Sequence, residues 1–188
     1  SIIFTALTLE ESGLLGSAYL AENPPVDLAN IVAGFNFDRV LPTGKTKDMA
    51  VIGYGASELE DYLEEELEKQ GRYINPDPNP EKGYFYRSDH ISFAKKGVPV
   101  LYSDDGFDLE EGGIEEGFKE IYDYTNFRYH GVNDEYDPSW NLEGFEQTID
   151  TIFNISQDLS NSSDWPNWYE GNEFRATRDA QILSKNIP

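Results

Sequence analysis

The residues of this chain best suited to chemistry are a few acids and two histidines. Glu10 and Glu11 stand side by side in TLEESGLL, directly after the apolar run SIIFTAL, and Asp38 closes a second apolar run, IVAGFNF. The histidines lie in short polar motifs and not on apolar faces, His90 in FYRSDHISF and His130 in FRYHGVNDEYD. Taken singly, none of these demands a function. Adjacent acids at a helix start suit its dipole, and a lone histidine ordinarily serves as a hydrogen-bonded structural residue. What separates Glu10, Glu11 and Asp38 from the other acids is that each follows directly on a predicted strand. In α/β sheets the carboxyl ends of strands are where sites assemble. Two acid clusters at strand ends, with a histidine on a loop, make a nitrogen and oxygen donor set suited to zinc.

Composition narrows the chemistry further. There is no cysteine, which excludes disulfides and thiolate sites and leaves oxygen and imidazole as metal donors. The 36 acidic against 14 basic residues give a formal net charge of -22. Such a field repels nucleic acid and anionic lipid, and both are set aside as partners. A length of 188 residues fits one domain with a substantial core, and an aromatic content of 14% argues against disorder. No apolar stretch is long enough to insert in a membrane, and no signal-peptide pattern is visible.

The elements that must position these residues alternate between short β-type runs and amphipathic helices, the mark of an α/β layer fold. Predicted strands are IIFTALT, IVAGFNF (31–37), MAVIGY (49–54) and VPVLYS (98–103). LLGSAYLAEN reads as the helix after the first strand. Ser57 and Glu60 form a capping box that opens the helix ELEDYLEEELEKQ, whose acidic run Glu64 to Glu66 reads as a solvated face. NPDPNPEKG (75–83) is a surface loop, and SDHISFAKKG a helix capped by Ser88 and stopped by Gly97. NLEGFEQTIDTIFNISQDL has apolar residues at helical spacing, and the tail with Trp165, Trp168 and Phe174 reads as a wrap ending in a short helix. The oxygen-rich loop DDGFDLEEGG (104–113) is a weaker candidate for calcium, because it lacks the full EF-hand pattern.

The stretches TLEESGLLGSAYLAENP, NFD, GYFYRSDHISFAKKGVP and YHGVNDEYD occur in this order at suitable separations. Together they closely resemble the zinc aminopeptidase family whose active site holds two neighbouring zinc ions. That family also includes glutamate-carboxypeptidase-type peptidases and glutaminyl cyclases. The resemblance implies a three-layer α/β/α sandwich with a mixed, mostly parallel central sheet. It implies Glu10 as general base, Glu11 and Asp38 as zinc ligands, Tyr129 as a hydrogen-bond donor and His130 as the last ligand. Ser88, Asp89 and His90 would line or support the pocket without ligating. Neighbouring strand residues point to opposite sides, so one acid of the pair can bind metal while the other faces the water it activates.

One departure from the family matters. Its His-x-Asp motif, which supplies a histidine and the carboxylate bridging both ions, precedes the Glu-Glu strand and is not among these residues. Only three of five ligating side chains are present, so residues 1–188 read as a catalytic domain shortened at its N-terminus. The expectation is two zincs in an intact site and at most one here, with little activity and a tendency to oligomerise through the exposed N-terminal edge. The resemblance points to a peptide substrate with a free N-terminus and an extracytoplasmic (periplasmic or secreted) parent. Two other readings compete, a peptidase-like domain that serves as a binding module, and a carboxypeptidase or cyclase chemistry on the same site.

Overall fold

The structure, a computed structural model, describes residues 1–39 and 41–185. Its sheet is built from β1 (Gly34–Asn36), β2 (Asp48–Val51), β3 (Tyr73–Pro76) and β4 (Val100–Asp105), in the spatial order β1-β4-β2-β3. β1 pairs with β4 and β2 with β3 in parallel, while β2 and β4 run antiparallel. The sheet is therefore mixed and mostly parallel, and helices flank it as a three-layer α/β/α fold requires.

On one face lie α2 (Leu59–Lys69) and α5 (Glu143–Asn161). Leu59, Leu63 and Leu67 recur every four residues, one stripe of a helix, and all three are fully buried. They meet Met49, Val51 and Leu101 of the sheet and Ile152, Ile155 and Leu159 of α5. Each such leucine contributes about 1.5–3 kcal/mol of transfer free energy. On the other face, α1 (Leu15–Glu22) packs on α3 (His90–Ala94), which crosses β1 and β4. The period of two along β4 divides its side chains accordingly. Leu101 joins the α2–α5 core, and Val100 packs with Leu28 and Val98. Two further helices are α4 (Gly113–Phe127) and α6 (Arg175–Lys185).

Several expectations need correction. The run IIFTAL forms no strand; residues 1–7 lie across a cavity of about 730 Å³ from β1, with Phe4 92% exposed. Apolar, β-branched composition favours a strand only where a neighbour completes the ladder, and among the described residues this segment has none. The capping box is half made. Glu60 accepts from the amides of Gly55, Ala56 and Ser57, but the Ser57 hydroxyl is buried without a partner. Glu66 is not solvated. It is 6% exposed and bound by Lys69, Gln70 and Asn154. Ser88 does not cap α3, since its hydroxyl accepts from the Asn36 side chain instead.

Candidate active site

Glu10 and Glu11 sit in a tight turn ahead of α1, not at a strand end. The strand alternation expected to separate their directions therefore does not apply. Leu14 N–H donates to the Glu10 carbonyl and Gly16 N–H to the Thr8 carbonyl, folding residues 8–16 back on themselves. At Gly16 a Cβ atom would stand 2.2 Å from the Thr8 oxygen, so only glycine fits this approach. The Ser17 hydroxyl bonds the Leu14 carbonyl and Ser92, which ties the turn to α3. Among the described residues, the non-glycine positions in left-handed backbone are Leu9, Leu14 and His130. Two bracket the acid pair and the third is the late histidine. Such conformations cost about 1–3 kcal/mol each and gather where a site needs a fixed geometry.

The fold brings the two ends of the motif set together. His130 Nε2 lies 2.5 Å from Glu11 Oε1, with both side chains at least half exposed. The rings of Tyr129 and His130 stack at 3.8 Å. Glu10 titrates above the ordinary carboxylate range, chiefly through burial, then through the charges of Asp38, Glu11 and Asp89, with His130 opposing. Tyr129 is also raised, by burial first and then by Glu11 and Asp38, so its phenol keeps its proton. Asp38 stands apart from the Glu11–His130 pair, and its Oδ2 accepts from the Tyr102 hydroxyl at 3.0 Å.

His90 is 2% exposed and lies between the rings of Phe85 and Tyr102, 4.7 and 4.8 Å away. Burial takes its pKa down to about 4, so it is neutral at pH 7. Asp89 faces the same cavity with its Oδ1 buried and without a partner. Sequence reasoning passed over Tyr102 and Arg39, and took Asp104 only as part of the oxygen-rich 104–113 loop. Asp104 pairs with Arg39 at 3.0 Å, and burial raises its pKa to about 6 despite that cation. The signal for Asp104 was present, since it follows the run VPVLYS as Asp38 follows IVAGFNF.

The calcium expectation for residues 104–113 finds no support. Asp104 turns to Arg39, Asp105 to the Leu41 amide and Thr148, and Asp108 to Lys47 and Tyr73. Among the described residues no three histidine or acid side chains converge closely enough to hold a metal ion. In donor type, however, Glu11, Asp38 and His130 fit zinc, and two of them already touch.

A comparison with protein families settles the lineage. The model of peptidase family M28 matches residues 1–156. The chain belongs to peptidase family M28. No curated protein and no solved structure matches it. Membership supports a zinc metallopeptidase in general, of a family whose class of substrate is peptides. The matched region holds the sheet and every candidate residue, and α6 lies beyond it. No described helix is long and apolar enough to cross a membrane.

Proposed function

We propose that this M28 chain carries the catalytic residues of a zinc aminopeptidase, which removes N-terminal residues from peptides. What supports the reading is the meeting of Glu11 with His130, beside a Glu10 that feels both Asp38 and Asp89. Glu11, Asp38 and His130 would hold zinc. Zinc, when bound, polarises water and carbonyl oxygen as a Lewis acid. Glu10 takes the proton from the attacking water. Its raised pKa brings it closer to the operating pH, where general bases work best. Tyr129 O–H donates to the oxyanion that forms on the carbonyl carbon being attacked. Three donors serve one ion, so two zincs side by side would need further ligands to offset the repulsion between them. The lineage is also our reason for proposing an extracytoplasmic setting.

The test is metal content and turnover on the same preparations. In the full-length parent, Glu10→Gln should keep its zinc while kcat falls by about a hundredfold or more. His130→Ala should lower zinc stoichiometry, whereas His90→Ala should retain it. Equal metal loss in both histidine variants would make His90 a ligand and defeat the assignment. Hydrolysis of an N-blocked peptide as fast as a free one would exclude aminopeptidase action. A second reading, a binding module on a peptidase fold, draws on the absence of three converging donors among the described residues. Stoichiometric zinc with peptide hydrolysis would eliminate it.

A further inference from the structure

We infer that the carboxyl end of β4 is a positioning clamp for Asp38, with Tyr102 gripping the carboxylate and Asp104 and Asp105 gripping the residues beyond it. The inference rests on the reading of Asp38 as a metal ligand. Its origin is the strand register. β1 and β4 run parallel with Asn36 opposite Tyr102, so Asp38, two residues on, lies diagonally ahead of Tyr102 on the same side. A tyrosine is long enough to cover that diagonal, and its hydroxyl donates to Asp38 Oδ2 at 3.0 Å.

The next contacts repeat the pattern. Asp104 accepts from the Arg39 guanidinium at 3.0 Å, and Asp105 Oδ2 accepts from the Leu41 amide at 2.6 Å. Asp105 is itself held from α5 by Thr148 at 3.2 Å. Residues 38, 39 and 41 are thus each tied to β4, which has a neighbour on both sides and whose Tyr102 is 6% exposed. The anchor is an inner strand of the sheet, and the clamped segment follows β1, an edge strand among those described.

The chemical consequence concerns a carboxylate with two equivalent oxygens. With Oδ2 already accepting from the phenol, Oδ1 is the oxygen favoured for ligation. The rotamer freedom that a metal would otherwise have to remove is already lost. Tyr102 acts through Asp38, so it is a positioning residue.

Tyr102→Phe in the full chain removes the hydroxyl and keeps the ring against His90. Titration with cobalt(II) and zinc(II), together with the visible absorption of the cobalt form, reads the effect. The expected result is an affinity lower by about 10 to 100-fold, with a changed cobalt band and an unchanged urea midpoint. A purely structural tyrosine would move the midpoint and leave band and affinity alone, and that result overturns the clamp. Where Tyr102→Phe lowers the midpoint as well, Arg39→Lys is read in the same way. It keeps the charge and withdraws the guanidinium fork from Asp104. Unchanged affinity and band in that variant also overturn the clamp. Asp38→Asn separates the two levels. If it abolishes binding while Tyr102→Phe does nothing, the ligand reading stands and the clamp falls. If Asp38→Asn binds metal as before, or the unsubstituted chain binds none, both fall together.

Discussion

Two buried arginines mark two differently finished halves of the molecule. Arg72, 5% exposed between the start of β2 and α5, makes five hydrogen bonds, to Thr46 twice, Asp48, Gln70 and Thr151. Arg178, on α6 and fully buried, gives one nitrogen to the Ile31 and Val32 carbonyls and rests against the Trp165 ring. Among the described residues its Nε and Nη1 have no partner, and burial draws its pKa down to about 10. The same contrast runs through the neighbourhoods. Between β2 and β3, Asp48 is fully matched, accepting from two backbone amides and Asn75. Around β1 lie the cavity and the unmatched Asp89 Oδ1. The candidate site sits on this second side, where polar groups have bonding capacity left for something other than the fold.

The largest blow to that comparison would come from Arg72→Met. It strands several buried acceptors at about 1–3 kcal/mol each, so urea unfolding should show a loss of at least about 3 kcal/mol. A loss below about 1 kcal/mol would mean that the matched half owes nothing to its matching. Leu63→Ala in the same half should cost about 2–5 kcal/mol by the same assay, since a fully buried leucine leaves a hole behind.

Acid and base titrations sharpen the contrast on the other side. The pKa of His90 is depressed in the fold, so its contribution is complete above about pH 6.5 and is lost as pH falls through about 4. Asp104 has the opposite sign. Raised in the fold, it contributes fully below about pH 3.8, and that stability is lost as pH rises through about 6. Asp104→Asn should therefore remove the alkaline-going loss between about pH 4 and 6, seen as a flatter midpoint against pH. The smallest effect belongs to Arg178→Met. Exchanging an incompletely bonded buried cation for an apolar chain of similar length should change stability by less than about 1 kcal/mol, or raise it. A loss as large as that of Arg72→Met would erase the distinction between the halves.

What could be read from the sequence follows the same division. α2 and α5 were legible because leucine and isoleucine spacing encodes a buried stripe, and β2 and β4 because apolar runs end at turn residues. β3 was not, since Tyr73–Pro76 merges into a proline-rich loop; its edge position is what tolerates Pro76. α4 was also missed; of its residues only Gly117 is buried. The Glu10, Glu11, Asp38 and His130 neighbourhood was legible as a set of motifs. The contacts of Tyr102 and Arg39 were not, because they depend on which strand lies beside which, and composition carries no register. The N-terminal run misled for a related reason, since a strand is a property of a pair.

The strand order β1-β4-β2-β3 places the last strand to be synthesised in the middle of the sheet. Among the described strands, β1 finds its partner only in β4, more than sixty residues later, and before that only β2 with β3 can form a ladder. Nothing joins the two until β4 emerges and slots between them. Pairings between distant segments are slow, and waiting strand edges are where nascent chains stick to one another. For this protein the hazardous interval of biogenesis is the time before Val100–Asp105 appears, and a chaperone that shields β1 would matter most then.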